Sequence, residues 1–378
     1  MSYNTTSTRI IPEPHHFHDP DFSYTSFPDS EFDDTLSLTS SVFDYVYENG
    51  RRYCSNRFGN GTECIMPNDD EECERLEMVS HCWNLLLEGE LKLVPLRIDR
   101  KQRRHDEESR EEEEVVGKLS SESTHSSGSR RGSGDEYFRV LDLGTGTGTW
   151  AIQFGDAYPN STVYGIDVSP IQNLWVPPNV KFEVDNFEDD ECWEAYRKPF
   201  DFIHGRNLVG SVRDWPKLFR NIYDGLAPGG AVEFQESDAV GAYSEDGSVP
   251  KNSAIIQYNE LLTEAGKRLG QRFDVVAEIK EYMKQAGFVD VREHRYKLPI
   301  GKWPKDTRMK ELGVVAQEIM QTGVEAYALA CLTRVLGWDA RDAQAFLDKA
   351  LEEFNNRRMH TIYTMYVVHG RKPEEGEL

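Results

Sequence analysis

The most distinctive pattern in the chain is an apolar strand that ends in a glycine-rich loop. Residues 138–143 form a short apolar run, Gly144, Gly146 and Gly148 follow at alternate positions, and apolar residues recur at helical spacing from Trp150. This order is typical of the first strand, turn and helix of a nucleotide-binding sheet. Glycines let the backbone turn tightly and approach a ligand, and the helix start presents unpaired N–H groups. We therefore expect residues 144–148, Thr145 included, to contact a ligand.

Strand and helix signals alternate after this loop and predict a doubly wound α/β sheet with helices on both faces. The predicted strands are Phe138–Leu143, Thr162–Asp167, Val180–Val184, Phe200–His204, Ala231–Glu236, Val289–Ile300 and Thr361–Gly370. Helices are predicted from Gly148 and over Trp215–Leu226, Ser253–Leu269 and Val275–Gln285, with a turn at Pro228–Gly230. The last two strands are expected to pair antiparallel at one edge, separated by a helical insertion over about residues 306–355.

The remaining sequence divides the chain into further segments. Residues 1–42 are polar and aperiodic and predict a disordered arm, while residues 43–98 predict a helical extension. Within that extension Asn68 and Glu71 resemble a capping box, and the helix is expected to end near Gly89. The aromatic stretch 45–53 is either a lid over a ligand or a packing segment. Residues 99–135 predict a charged, mobile linker, in which Ser133 lies in a pattern that basophilic kinases favour. The α/β domain then covers residues 136–373.

Composition narrows the class of protein. The chain has 378 residues, of which 38% are hydrophobic, and a formal net charge of −23. Such an acidic surface disfavours direct binding to nucleic acid or to an anionic membrane. No apolar run of about 18 residues occurs, so no membrane span is expected, and an intracellular protein is predicted. Six cysteines at wide spacing favour reduced thiols over a zinc cluster, and no metal site is predicted.

Polar residues at the carboxyl ends of the predicted strands are the candidate ligand contacts, because an open α/β sheet binds ligands at that edge. Asp142 opens the glycine loop, and Asp167 with Val168 ends the second strand, where a carboxylate can accept both hydroxyls of a ribose. Asp185 and Asn186 end the third strand and can accept from an adenine amino group, with Asp185 the preferred candidate.

The fourth and fifth strands supply further candidates. His204, Arg206 and Asn207 are expected to face the same crevice. His204 is either a general base or a polar contact to the ligand, whereas Arg206 and Asn207 are expected to shape the end of the pocket away from the adenine. Gln235 and Glu236 end the fifth strand, where they either contact a substrate or lie in solvent.

The spacing of the glycines decides between ligands. The dinucleotide fingerprint places its third glycine where this chain has Thr149. A loop without that glycine suits a ligand without a diphosphate, so S-adenosylmethionine fits better than NAD. A nicotinamide-dependent oxidoreductase is the disfavoured alternative.

These motifs together resemble those of class I S-adenosylmethionine-dependent methyltransferases, and more narrowly the fungal LaeA-like methyltransferases. The matching blocks are Val140–Trp150, Asp167–Gln172, Trp175–Val180, Phe200–Asn207 and Leu226–Gly230, with Met66–Asp69, Tyr296–Pro304, Leu332–Trp338 and Val367–Pro373 for the narrower group. The resemblance implies a seven-stranded sheet in which the glycine loop, Asp167 and Asp185 contact the cofactor. Two features depart from the family: the long linker, and Gly205 where a bulkier residue is common.

The resemblance also implies a fungal origin and two kinds of function. Members of the family include enzymes of biosynthetic clusters and regulators of secondary metabolism that associate with velvet proteins in the nucleus. We therefore expect either a methyltransferase that acts on a small molecule or a protein, or a regulatory subunit that acts through velvet-type partners. The catalytic residues are not assigned, because the cofactor carries an already activated methyl group and a base is needed only if the acceptor must lose a proton before attack. The helical insertion, with Met309, Met320, Tyr327 and Trp338, is expected to roof the acceptor pocket or to bury these residues in its own core.

Overall fold

The computed structural model describes residues 45–55, 64–99 and 137–377. The predicted arm 1–42 and nearly all of the predicted linker 99–135, with Ser133, lie outside the described residues. Within the described ranges no helix is both long enough and apolar enough to cross a bilayer. No disulfide joins the six cysteines, all of which belong to these ranges.

A seven-stranded sheet forms the centre of the fold, with the order β5-β4-β3-β6-β7-β9-β8. Its strands are β3 (Phe138–Leu143), β4 (Ser161–Asp167), β5 (Val180–Val184), β6 (Phe200–Arg206), β7 (Leu226–Ser237), β8 (Val289–Pro299) and β9 (Ile362–Arg371). Strands β3 to β7 pair parallel, and β9 pairs antiparallel with both β7 and β8. The predicted sheet and its antiparallel edge are thus confirmed. Strand order reverses at β3, which is where such sheets bind ligands.

The helices cover both faces of the sheet and one end of it. They are α1 (Asp70–Leu86), α2 (Thr149–Ala157), α3 (Asp190–Glu194), α4 (Trp215–Gly225), α5 (Ala254–Leu269), α6 (Ile279–Gln285), α7 (Thr307–Ala330) and α8 (Ala340–Phe354). One core lies between the sheet and α4 and α6, and a second lies against α2. A third core joins α1, α5, α7 and α8, so the insertion packs with the N-terminal helix as one layer.

Two local predictions are wrong. The predicted turn Pro228–Gly230 lies inside β7, because β6 and β7 accommodate it with a register shift, and Gly229 supplies the left-handed backbone with a φ of 72°. The residue that caps α1 is Asp69, not Asn68: its carboxylate accepts from the N–H of Glu72. The Asn68 amide is used elsewhere, since its Nδ2 donates to Ser169 Oγ.

The aromatic stretch 45–53 forms a hairpin of β1 (Tyr45–Glu48) and β2 (Arg51–Cys54). Its side chains pack on the helical layer: Tyr53 is buried, and Glu48 forms an ion pair with Arg334. None of the residues 45–53 lines the large cavity described below. This arrangement agrees with the packing alternative and not with a lid.

The segment 91–99 joins the N-terminal helix to the sheet. The N–H groups of Leu93 and Val94 donate to the buried carboxylate of Glu233 on β7. The chain then leaves the described part beside Tyr158, whose hydroxyl donates to Asp99. It returns beside the same tyrosine, because Phe138 pairs with Ser161, and the Ser161 N–H donates to the Tyr158 carbonyl.

Candidate active site

A cavity of about 330 Å³ opens at the carboxyl ends of β3, β4 and β6 and extends beneath α7. Nine of the twelve residues predicted as cofactor contacts line it: Asp142, Gly144, Thr145, Gly146, Asp167, Val168, Asn186, Arg206 and Asn207. Gly148, Asp185 and His204 do not. Most of the predicted contacts thus lie around one cavity at one edge of the sheet, and the three exceptions have identifiable structural causes.

The three glycines of the loop all have left-handed backbone, with φ values of 60° at Gly144, 57° at Gly146 and 84° at Gly148. They differ in what surrounds them. A Cβ atom at Gly148 would lie 2.2 Å from the Phe182 ring, so this glycine is required for packing. A Cβ atom at Gly146 would meet only Leu76, at 3.6 Å, and Gly146 lines the cavity. Gly146 therefore presents open backbone to a ligand.

Asp142 fixes the start of the loop. One carboxylate oxygen accepts from the Thr145 hydroxyl at 2.7 Å, and the other lies 2.7 Å from Nδ1 of His204. His204 is fully buried and stacks on Trp150, with ring centroids 3.7 Å apart. Burial lowers the pKa of His204, although Asp142 opposes the shift. Because β6 continues to Arg206, His204 lies inside the strand and not after it, and the prediction that it faces the crevice is wrong.

Asp167 lies at the end of β4, directly across from the loop. One of its oxygens accepts from the Gly146 N–H and the other from the Ser169 N–H, both at 2.9 Å. Burial raises the pKa of Asp167, and these two hydrogen bonds oppose the rise. Each carboxylate oxygen can accept more than one hydrogen bond, so both retain capacity for ligand hydroxyls.

At the end of β5 the structure places the neighbouring residue in the cavity. Asn186 is buried and lines the cavity, and its Oδ1 accepts from the Glu188 N–H. Asp185 turns away and accepts from the N–H of Asn186. The predicted preference for Asp185 over Asn186 is thus not supported by their positions, because the Asp185 carboxylate is used to shape the turn.

Helix α1 closes the cavity opposite the sheet. Its Ser80 hydroxyl accepts from the Arg206 guanidinium at 3.2 Å, and its Trp83 indole N–H donates to the Asn207 side chain. Desolvation lowers the pKa of Arg206 to about 10, so the side chain remains charged at neutral pH. Among the residues that the structure describes, no carboxylate forms an ion pair with Arg206. It therefore presents a positive charge to the cavity.

Helix α7 and the end of the sheet form the rest of the cavity, which we call the chamber and define by Leu262, Leu298, Met320, Tyr327, Tyr363 and Met365. Of the insertion residues considered in the sequence, Met320 and Tyr327 line it. Met309 and Trp338 do not; Trp338 packs edge-on against Phe346. The insertion thus both roofs the cavity and has a core of its own.

One carboxyl group and one ion pair in the wall are buried. Glu236 is fully buried, accepts from the N–H groups of Leu208 and Val209, and lines the cavity, whereas Gln235 does not. Burial raises the pKa of Glu236 to about 8. Glu72 and Arg75 form a buried ion pair on α1, and Arg75 also donates to the Tyr327 hydroxyl at 2.7 Å.

The ion pair of Glu72 and Arg75 was not predicted. A signal was present in the sequence, because both residues share the helical spacing of Val79, Cys82 and Leu86 and so fall on the buried face of α1. Charged residues on a buried face are retained where they are paired or used by a ligand.

Comparison with known proteins agrees with this geometry. A family model described as a methyltransferase domain matches residues 98–293. Methyltransferase pytC of Aspergillus terreus is 36% identical over 89% of this chain and 91% of its own length. The probable methyltransferase tdiE of Emericella nidulans is 34% identical over 62% of this chain and 72% of its own length. The secondary metabolism regulator LAE1 of Cochliobolus heterostrophus is 32% identical over 63% and 77%.

The fold and the matched domain define an S-adenosylmethionine-dependent methyltransferase, with S-adenosylmethionine as its cofactor. The chain belongs to the methyltransferase family that includes these fungal enzymes and LaeA-type regulators.

Proposed function

We propose that the cavity binds S-adenosylmethionine along the ends of β3 to β6 and directs its methyl group to an acceptor in the chamber beneath α7. In this arrangement Gly146 and Asp167 hold the ribose, Asn186 lies against the adenine, and Arg206 pairs with the carboxylate of the methionine part. The observation that carries the proposal is the contact of Asp167 with the N–H of Gly146, which places a carboxylate beside a cavity-lining glycine where a Cβ atom would meet only Leu76.

The residues present fit this cofactor. S-Adenosylmethionine carries a carboxylate, and Arg206 is a partly buried cation to which the described part of the chain gives no carboxylate partner. Its ribose carries two hydroxyl donors, and Asp167 has oxygens that can accept them. The cofactor supplies an activated methyl group. The protein then has to hold the acceptor near it and exclude water, tasks that suit the buried position of the chamber between α1, α7 and the sheet.

Calorimetry with S-adenosylmethionine tests the assignment. We expect binding to the wild-type protein and a loss of at least about 10-fold in affinity in Asp167→Ala, since hydrogen bonds to a charged group are removed. Asp224→Ala, on the exposed surface of α4, is the matched control and should bind as the wild type does. Equal affinities of wild type and Asp167→Ala would overturn the assignment.

We propose that this activity serves fungal secondary metabolism or its regulation. The support is the similarity to pytC, tdiE and LAE1. The test is a metabolite comparison between native cells and cells that lack the protein: a product that lacks one methyl group, or a lost set of products, is expected. Unchanged metabolite profiles would contradict the proposal.

A regulatory role through velvet-type protein partners is the second candidate, and an exposed apolar patch favours it. Leu174 and Trp175 are 95% and 94% exposed on the loop that follows β4, beside the glycine loop. Because monomeric proteins rarely leave such side chains together in water, the patch is a candidate contact surface. Complementation separates the two candidates. If regulation by contact is the function, Asp167→Ala restores metabolites in a deletion strain, whereas Trp175→Asp does not. The enzyme assignment predicts that Asp167→Ala fails.

A further inference from the structure

Four elements contribute apolar side chains to the walls of the chamber. Helix α5 contributes Leu262, β8 contributes Leu298, α7 contributes Met320 and β9 contributes Met365. These side chains come from four elements that pack into one core, so the chamber has a fixed shape. Apolar walls favour a ligand that buries apolar surface and disfavour a flexible, solvated side chain.

The acidic groups of the cavity are already engaged. Glu72 pairs with Arg75, and each of the other four lining carboxylates accepts a hydrogen bond from within the protein. These are Asp142 from Thr145, Asp167 from Gly146, Glu188 from the Arg213 N–H, and Glu236 from the Leu208 N–H. An ammonium group such as that of a lysine acceptor would need a carboxylate as counter-charge. Each carboxylate of this lining already accepts from within the protein, and the remaining capacity of Asp167 is assigned to the ribose of the cofactor.

Histidine and lysine, which often remove a proton from a weakly acidic acceptor, are absent from the lining within the described ranges. The Glu236 carboxyl does line it, but one oxygen accepts from the Leu208 N–H and the other from the Val209 N–H. An ordinary alcohol needs a base before it can attack. An acceptor that ionises by itself in water needs none.

The three tyrosines around the chamber differ in what their hydroxyl protons do. The Tyr258 hydroxyl donates to the Val324 carbonyl, and the Tyr363 hydroxyl donates to the Asn259 side chain. The Tyr327 hydroxyl instead accepts from Arg75, which also lies 4.6 Å from the centre of its ring. No acceptor for the Tyr327 proton is present in the parts of the chain that the structure covers. Tyr327 is therefore held by Arg75 with its own proton free for a ligand.

We infer that the methyl acceptor is a small, largely apolar molecule with an acidic hydroxyl, a phenol or an enol, and that its ionised oxygen accepts a hydrogen bond from Tyr327. The inference rests on the proposed function and names its substrate class. The hydroxyl proton leaves to water before transfer. The acceptor oxygen then forms the new C–O bond as the bond between the methyl carbon and the cofactor sulfur breaks, so an anion and a sulfonium give a neutral ether and a neutral thioether.

The probe for the test is 7-hydroxycoumarin, whose absorbance and fluorescence distinguish phenol from phenolate. It is titrated into the full-length protein loaded with S-adenosylhomocysteine. We expect it to bind with a lowered phenol pKa, because the phenolate is the form that Tyr327 stabilises. Tyr327→Phe should weaken binding about 10-fold and return the probe pKa toward its value in water.

Two controls identify the source of the effect. Tyr363→Phe removes a hydroxyl from the same chamber whose proton is already used, so its affinity for the probe should stay within about 2-fold. 7-Methoxycoumarin lacks the hydroxyl, and its affinity should not differ between wild type and Tyr327→Phe.

The outcomes separate this inference from the proposed function. Equal binding of 7-hydroxycoumarin by wild type and Tyr327→Phe overturns the role of Tyr327. Methyl transfer to a lysine-rich peptide, with no binding of 7-hydroxycoumarin, overturns the substrate class. In both cases S-adenosylhomocysteine still binds in calorimetry. If that binding is absent, the proposed function itself fails.

Discussion

The Oδ1 atom of Asp142 lies 2.7 Å from Nδ1 of His204, and both side chains are buried. The pair links two neighbouring strands, since Asp142 and His204 face each other in the register of β3 and β6. Through its other oxygen Asp142 holds Thr145. The histidine thus acts on the cofactor loop indirectly, by positioning the carboxylate that orders it.

His204→Phe should destabilise the protein by about 1 to 3 kcal/mol, because it leaves one oxygen of a buried carboxylate without its partner while keeping a ring on Trp150. Denaturant unfolding measures the change. His360→Phe is the control: His360 pairs with Asp246 at 2.6 Å, but on the surface, where such pairs contribute little to stability, so a smaller loss is expected. Equal losses in the two variants would show that burial of the Asp142 pair has no special effect.

Two alanine substitutions in the same loop should differ in their main effect: Gly146→Ala mainly weakens ligand binding, and Gly148→Ala mainly destabilises the fold. Gly146→Ala meets little steric contact and should change the free energy of unfolding by about 1 to 2 kcal/mol, from its left-handed backbone alone. It should nevertheless weaken S-adenosylmethionine binding about 10-fold or more, because its methyl group enters the ligand space. Gly148→Ala should destabilise by about 3 kcal/mol through the Phe182 ring. Calorimetry measures ligand affinity and thermal unfolding measures stability in both variants. If Gly146→Ala binds S-adenosylmethionine as the wild type does, the ligand does not lie against Gly146.

Asn186→Ala should weaken cofactor binding more than Asp185→Ala does. Asn186 lines the cavity, whereas Asp185 does not and accepts from the Asn186 N–H. We expect a loss of about 10-fold for Asn186→Ala and of about 3-fold or less for Asp185→Ala. Titration of both variants with S-adenosylhomocysteine measures this difference. A larger loss in Asp185→Ala would restore the order expected from the sequence.

Arg206→Met should reduce the affinity for S-adenosylhomocysteine about 10-fold and leave that for 5′-methylthioadenosine unchanged, since only the first ligand carries a carboxylate. Arg206→Lys keeps the charge and should recover part of the loss. If Arg206→Met weakens both ligands equally, the guanidinium does not pair with the carboxylate and acts on the shape of the site alone.

Glu236 should make stability fall as pH rises. Its pKa is about 8 in the folded protein and about 4.5 in a solvated reference, so between these values the folded state holds one more proton. The free energy of unfolding then decreases with rising pH by up to about 1.4 kcal/mol per pH unit. Glu236→Gln lacks this proton, so its unfolding free energy should fall less steeply than that of the wild type from pH 5 to pH 8. Parallel curves in denaturant titrations would show that Glu236 keeps an ordinary pKa.

The centre of the sheet could be predicted because its strands are largely apolar runs bounded by glycine, proline or aspartate. The strand over residues 138–143 and the strand over residues 180–184 have the predicted bounds. The prediction of a turn at Pro228–Gly230 was wrong because proline and glycine signals are local. Whether these residues belong to β7 depends on the pairing of that strand with β6 and β9. Local sequence patterns predict helices and strands, but they do not show whether a neighbouring strand can pair around an irregular segment.

The site was partly predictable for a related reason. Asp167 and the glycine loop lie at strand ends, and strand ends can be located from the sequence. The choice between Asp185 and Asn186 depends on which side chain enters the next turn, and the position of His204 depends on two further residues of β6. The wall formed by α1 depends on contacts such as that of Trp83 with Asn207, 124 positions apart. No pattern within either segment encodes that contact.

The chain leaves the described part at Asp99 and returns at Tyr137, and both points lie beside Tyr158. The ends of the intervening segment are therefore held together by the fold, whatever the length of that segment. Doubling the length of such a loop costs only about 0.6 kcal/mol of closure entropy. Residues 100–136 are thus a position where the protein can gain or lose sequence during evolution, or receive an inserted reporter domain, while the cofactor cavity keeps its geometry.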